Sequence, residues 1–554
     1  MIKTLPTNLK RRLKTMSPLF FTKALVKKLY IIPLFCFIFP TLLSAAEQPG
    51  SAQPVSLQKV LENITKTNPS ISEAMKQYQS VLAERGIANS EYYPTVGMEV
   101  AAGPERTKGV STNDVAENLT STKASLFARQ NLYNGGKTTA FVKETDARIQ
   151  AAAYEVLNVA NNVYLNTSEA YINVIKARDL LAISGRNALT QERIMRQVRE
   201  KTEAGFKRAS ELYNSESRLA LAKGNYISRK QDLNQALVIF HKQFGRFLHT
   251  DQFITPEPTY QIPATLPETI EIAFNTHPAL KVAKYNIQTK RYAYEKANAA
   301  DFPTLDFEVK GQYRDEIDGK EGDTTQVGAY LTFNYTFFDG GLRSSEQSKQ
   351  KQNVRKEYQR SYVERRNINE SVRLAWSIKE ADDYKKEYLS EHVTLSAKTL
   401  NAFKEEYYVG RRTLLDLLNM ENEYTDAQLS FTESQFSHLI AIYRIMQATG
   451  ALLSEHDTGL RGMLQIAADE KDDLFDAENR RAIEAYKDLN DNRDQDGLTD
   501  TKDQCDNSSP NSTVQPFGCS DNDANNTGYP YEDDSALSPY IVPQSFEPVS
   551  TKQQ

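Results

Sequence analysis

Residues Glu405–Tyr424, EEYYVGRRTLLDLLNMENEY, decide how the rest of the chain is read. Tyr407-Tyr408-Val409-Gly410 reads as a turn, and a helical stretch follows that carries Arg411, Arg412 and Asp416. The same frame occurs earlier at Glu200–Ser217, EKTEAGFKRASELYNSES, with Gly205 in the place of Gly410. The two glycines stand 205 positions apart, and Gly135-Gly136 and Gly340-Gly341 keep that distance, as do Phe244-Gly245 and Thr449-Gly450. Upstream, Asn68-Pro69 answers to His277-Pro278 and Tyr93-Pro94 to Phe302-Pro303, now 209 positions apart. Only the segment between Pro94 and Gly135 therefore differs in length between the copies. A repeat of about 200 residues is two copies of a domain-sized unit rather than a solenoid.

Composition narrows the class. Lys and Arg number 67 against 72 Asp and Glu, a net charge of −5, with the acidic excess after Leu453. No concentrated basic face is present, so nucleic acid is excluded as a partner. Only 24 glycines and one tryptophan occur among long runs of Ala, Gln, Asn, Glu, Lys and Leu, a composition of long helices with thin cores. The histidines (His241, His249, His277, His392, His438 and His456) are scattered. No zinc-binding H-E-x-x-H, nucleophile elbow or phosphate loop is found, so the chain does not read as an enzyme.

Residues 1–46 read as a signal peptide. Lys23, Lys27 and Lys28 precede an apolar run from Leu29 to Leu43, closed by Ser44-Ala45-Ala46. The run is shorter than the ~20 residues of a membrane-spanning helix. Phe35 before Cys36 is a poor lipoprotein processing site, so no lipidation is expected. Cleavage leaves Cys505 and Cys519 in a compartment that permits a disulfide.

Each copy opens with a helical pattern, Leu57–Tyr92 and Leu266–Asp301, read as one helix each and ended by Pro94 or Pro303. The period then changes to two. Leu305, Phe307 and Val309 alternate with Asp306, Glu308 and Lys310; Val327, Ala329, Leu331, Phe333, Tyr335 and Phe337 alternate with polar or small neighbours. The first copy repeats this more weakly with Val96, Met98 and Val100, then Ala124, Leu126, Ala128 and Leu132. Strands of about ten residues, apolar on one face and polar on the other, meet the requirement of a membrane barrel. From Gly136 to Gly205 and from Gly341 to Gly410 no proline occurs. A helix of that length, on the order of 100 Å at 1.5 Å per residue, must pack side by side with others. Val142, Ile149, Val156, Val163, Ala170 and Ala177 recur every seven residues, with Ala153, Ala160, Val174 and Leu181 four beyond members of that series. This is a coiled-coil stripe. Ser361 and Asp382 interrupt it in the second copy, where the helix is read from length and duplication. At Gly205 and Gly410 the chain turns back. Each copy thus becomes a long helical hairpin on a short strand hairpin.

This combination resembles the TolC family of outer-membrane export ducts over about Pro54–Leu453. The residues that carry it are the twofold repeat, the aromatic-Pro pairs, Tyr133-Asn134-Gly135-Gly136 with Phe338-Asp339-Gly340-Gly341, and YYVGRRTLLDLLN. The resemblance implies a mainly α fold with a transmembrane β-barrel: a homotrimer with a 12-stranded barrel in outer-membrane lipid and a helical tunnel in the periplasm. It implies partners as well, a periplasmic adaptor and an inner-membrane ABC or proton-driven transporter, and no cofactor for transport. By match, Tyr407 and Arg412 are latch residues facing Ser210 and Glu211 of the neighbouring chain, and Asp416 belongs to a constriction ring. Asn419 stands where the family pattern has a second aspartate, which implies a less cation-selective gate. Without the resemblance, Arg412 and Asp416 read as an exposed ion pair one turn apart. Independently, four strands cannot close a barrel, and eight leave an interior filled by side chains, so a conducting pore needs at least three copies. Type I secretion is the favoured use, with small-molecule efflux the alternative. A periplasmic adaptor or structural coiled coil is the competing class, but such proteins lack paired amphipathic strands.

The domain boundaries follow: signal peptide 1–46, first repeat 54–248, Pro-rich linker 249–265, second repeat 266–453, polar and partly helical linker 454–489, acidic motif 490–520, and a disordered tail 521–554. In the acidic motif, Asn492, Asp494, Asp496, Asp500 and Asp503 place oxygen ligands at calcium-loop spacing around Gly497. The motif resembles a thrombospondin type 3 calcium repeat, which implies Ca²⁺ and a Cys505–Cys519 disulfide.

Overall fold

The computed structural model of the protein describes residues 54–455, 459–467 and 472–488. Residues 1–46, read above as a signal peptide, the acidic motif with Cys505 and Cys519, read as a calcium repeat, and the segment 521–554 lie outside the described residues.

Asn68 precedes a proline, whose ring crowds the helical conformation of the residue before it. It is extended (φ −72°, ψ 126°), and its side chain caps the next helix by accepting the Ser70 N–H at 2.9 Å. The single leading helix read from the sequence is therefore two, α1 (Leu57–Thr67) and α2 (Pro69–Ser90). Strands β1 (Thr95–Thr107) and β2 (Glu117–Tyr133) form an antiparallel hairpin. Gly135 and Gly136 then turn the chain with φ of 66° and 85°, a region that side chains avoid. A Cβ on Gly135 would lie 2.6 Å from the Ala299 carbonyl oxygen. Helix α3 (Lys137–Glu203) runs 67 residues, about 100 Å. Helix α4 (Ala209–Phe244) returns along it.

The second repeat follows the same course: α5 (Leu266–Thr276), α6 (Pro278–Asn298), β3 (Thr304–Asp315), β4 (Asp323–Asn334), α7 (Leu342–Tyr408) and α8 (Leu414–Ala448). Here too the leading helix is split before a proline, with His277 as the cap. Two short helices follow, α9 (Ala451–Glu455) and α10 (Asp473–Asp488).

The strands form one antiparallel sheet in the order β1-β2-β3-β4. The register aligns the apolar residues of both copies. Val96, Ala128 and Val309 lie in one row with Ala329, and Met98, Leu126, Gly311 and Val327 in the next. This face stays open: Met98, Leu126, Leu331 and Phe333 are exposed. The opposite face carries Glu99, Lys123, Arg129, Asp306, Glu308 and Lys310, as strand alternation requires. The alternation read through Leu132 ends early, because a bulge between Asn131 and Tyr133 sets Tyr133 opposite Leu305.

The seven-residue stripe of α3 is buried from Ile149 through Ala177. Tyr171 anchors the widest part of the core. Its ring lies 5.0 Å from Phe253 and 6.0 Å from Phe240, and its hydroxyl donates to the Val55 carbonyl while accepting the Ile254 N–H. The two polar interruptions in α7 are buried with partners. Ser361 Oγ donates to the Tyr358 carbonyl at 2.7 Å, and Asp382 accepts from Ser434 at 3.2 Å. Among the described residues no helix is long and apolar enough to cross a membrane.

Candidate functional site

The helical tips lie at the end of α3 and α7 opposite the sheet. Both turn in the same way. Gly205 and Gly410 each have φ 77°, and each is followed by a residue whose N–H reaches five positions back: Phe206 to the Lys201 carbonyl and Arg411 to the Glu406 carbonyl, both 2.8 Å. This is the helix-ending motif that glycine favours.

Equivalent positions of the two tips are then used differently. In the first repeat, Lys207 Nζ lies 2.9 Å from Glu211 Oε2, one turn on. The matching residues in the second repeat, Arg412 and Asp416, do not pair. Arg412 Nε donates to Glu406 Oε2 at 2.8 Å, and its guanidinium lies 4.0 Å from the Phe403 ring centre. Asp416 closes a capping box at the start of α8: its Oδ2 accepts the Thr413 N–H at 3.3 Å, and its own N–H donates to Thr413 Oγ1 at 3.2 Å. The box satisfies two backbone donors that a helix start leaves open.

Tyr407 packs against a small apolar group made by Ile194, Val198, Leu414 and Leu418. The ammonium groups of Lys201 and Lys207 lie 5.6 and 5.5 Å from its ring. Burial holds its phenol above the usual range, and nearby Glu211 adds to that shift. The fold thus brings Tyr407 beside Lys207 and Glu211 within one chain, and leaves Ser210 exposed. Asn419 accepts from Arg218 Nη2 of α4 at 2.8 Å. At this level a neutral amide is paired to a guanidinium.

Sequence reading missed Glu406, Phe403 and Arg218. The first two have no periodic signature, and Arg218 meets Asn419 only after the helices pack. Thr413 was findable, since Thr413-x-x-Asp416 has capping-box spacing. Chemically the tip is held by a small apolar cluster and partly exposed polar contacts. Exposed pairs contribute ~0.2–1 kcal/mol each, so the buried Ile194, Val198, Leu414 and Leu418 carry most of the hold within the chain. Among the described residues, no group of three or more His, Cys, Asp or Glu is placed to hold a metal.

An amphipathic sheet on paired 67-residue helices, with polar tips at the far end, defines a membrane channel component rather than an enzyme. The chain belongs to the outer membrane efflux protein family, which it matches at residues 60–245 and 269–451. It is 22% identical to outer membrane protein TolC of Escherichia coli over 440 residues, 74% of this chain and 85% of that one. Outer membrane efflux protein BepC of Brucella suis is 21% identical over 329 residues, 59% of this chain and 71% of that one. The solved structure of the Campylobacter jejuni CmeC outer membrane channel aligns with a TM-score of 0.64 at 16% identity, covering 77% and 89% of the two chains. The protein is therefore an outer-membrane channel protein, and proteins of this family need no cofactor to transport.

Proposed function

We propose that three copies of this chain form a duct that carries substrate from an inner-membrane transporter, through a periplasmic adaptor, to the exterior. The observation that supports this most is the four-stranded sheet with an open apolar face and two unpaired edges, β1 and β4. Open edges are not tolerated in lipid, where every backbone group needs a partner. Joining β4 of one copy to β1 of the next removes every edge when three copies close a 12-stranded barrel. The helical hairpins then extend into the periplasm, and Tyr407, Arg412, Asp416 and Asn419, with Ser210 and Glu211 of the neighbouring chain, close the tunnel at its tip.

Type I secretion of a large protein is the favoured use. The acidic calcium-type motif suits a system whose cargoes are often calcium-loaded. Small-molecule efflux uses the same tunnel and remains the second reading. Unboiled outer-membrane extracts test the duct: a heat-resistant band of three chains that collapses to one on boiling supports it, and a monomer in the periplasmic fraction refutes it. Deleting the gene separates the uses. Loss of one large secreted protein with unchanged drug susceptibility supports type I secretion, and the reverse supports efflux.

A further inference from the structure

One face of α7 carries Tyr358, Ser361, Arg365 and Ile368, and its counterpart on α3, 205 positions earlier, is Ala153, Val156, Ala160 and Val163. The α3 face is small, apolar and buried. On α7 an arginine has taken the place of Ala160, yet Arg365 is only 1% exposed. A guanidinium that deep costs free energy unless matched groups surround it.

Those groups come from beyond both copies of the duplication. The Phe475 ring of α10 lies 4.8 Å from the Arg365 guanidinium, Asn479 Oδ1 accepts from its Nε at 3.3 Å, and Glu478 Oε2 stands 3.9 Å from Nη1. From α7 itself, Ser361 Oγ accepts from Nη1 at 3.2 Å. Each α10 partner is itself fixed. Tyr362 donates to Glu478 at 3.1 Å, Asn479 donates to the Phe274 carbonyl of α5 at 3.1 Å, and Phe475 and Ile483 complete the apolar cluster of Ile270, Phe274, Tyr358 and Val372. Just before α10, Asp472 accepts from Arg291 at 2.8 Å, and the same guanidinium reaches the Tyr358 hydroxyl.

The segment 459–467 holds the first repeat in a similar way. The Gln465 N–H donates to the Tyr78 hydroxyl at 2.9 Å. Gln150 of α3 donates to the Gln465 carbonyl and accepts the Ala467 N–H, both at 3.0 Å, as a backbone partner would. Leu460 and Leu464 join the main core.

We infer that the α5–α7 face is an acceptor site built for α10, that Arg365 is its lock, and that the described segments 459–467 and 472–488 clamp one repeat each. The two copies alone are then an incomplete fold: without α10, the apolar face of Ile270, Phe274, Tyr358 and Val372 loses its cover and Arg365 loses its partners. The acceptor is specific, because a helix filling it must offer an aromatic ring, a carboxylate and an amide on one face, as Phe475, Glu478 and Asn479 do at helical spacing.

The test uses the full chain with Phe475, Glu478 and Asn479 all changed to Ala, alone and together with Arg365→Met. Arg480 and Arg481 are exposed on α10, so tryptic cutting at these two residues reports its release. The triple variant is expected to be cut there about tenfold faster, as the open population rises, and to melt at lower temperature. Adding Arg365→Met is expected to move neither readout much further, because release of α10 already leaves the guanidinium in solvent without the partners it would lose. Faster cutting with unchanged melting would make α10 a passenger and overturn the inference. So would unchanged cutting, or a methionine variant that deepens the loss. If the triple variant fails to accumulate, Glu478→Gln, which keeps the side chain's shape, is read by the same two measurements and the same outcomes.

Discussion

Arg129 of β2 and Glu308 of β3 lie directly opposite each other at the seam where the two repeats join, with guanidinium–carboxylate distances of 2.8 and 2.6 Å. Both nitrogens donate to the one oxygen, Glu308 Oε2, and the pair marks the polar face of the sheet. Leu331 and Phe333 of β4 belong to the other face, 64% and 66% exposed. Arginine at either is expected to abolish assembly, costing ~2–4 kcal/mol near the bilayer midplane. Arginine at Thr332 or Asn334 should be accepted. Counting assembled protein in outer-membrane fractions checks this, and equal tolerance on both faces would reverse the assignment.

His277 gives the second repeat an acid sensitivity that the first lacks. It is buried, its Nδ1 accepts the Ala279 N–H at 3.1 Å, and burial pulls its pKa down to about 4. The folded value lies below the unfolded one of about 6.5, so the unfolded chain takes up the proton first. The His277 contribution to stability is therefore flat above pH 6.5 and falls between about 6.5 and 4, by on the order of 3 kcal/mol at the lower end. The first repeat solves the same cap with Asn68, which does not titrate. His277→Asn should leave the melting temperature at pH 7.5 nearly unchanged and shrink the drop between pH 7.5 and 4.5. An unchanged drop would place the acid sensitivity elsewhere.

Much of this fold was legible because duplication supplies an internal control. Gly205 and Gly410 share one backbone conformation, and the weak alternation of Val96, Met98 and Val100 becomes readable beside the stronger Val327–Phe333 pattern. The break before Pro69 was visible as a dipeptide but was read as part of one helix, since amphipathic spacing continues across it. The clamp was not legible at all. Glu478 and Asn479 look like solvated polar residues until α10 docks, and Arg365 looks like one more charge on a long helix. At the tip, Arg412 takes Glu406 as its partner in the chain. That choice depends on the turn geometry and not on residue spacing.

The acidic motif lies outside the described residues, and its chemistry is open to direct measurement. Asp494, Asp496, Asp500 and Asp503 place four carboxylates in one short loop. Their repulsion disfavours a compact loop unless a divalent ion compensates it. Calorimetry on the full chain should show Ca²⁺ binding at millimolar or tighter affinity. Binding should weaken when a Cys505–Cys519 bridge is reduced and be lost with Asp496→Asn. Heat that is absent, or unchanged in that variant, would leave an acidic spacer.

The central claim is that this chain forms a duct closed at its helical tips, and planar-bilayer conductance tests it most directly. Tyr407→Phe with Arg412→Ser removes the phenol hydroxyl beside Lys207 and Glu211 and the guanidinium held by Glu406 and Phe403. Both positions are far from the sheet, so insertion should be unaffected. The purified native protein should show small, discrete channels, and the double variant the same number of channels at severalfold higher conductance. Channels of unchanged conductance, or none from either protein, would contradict the account.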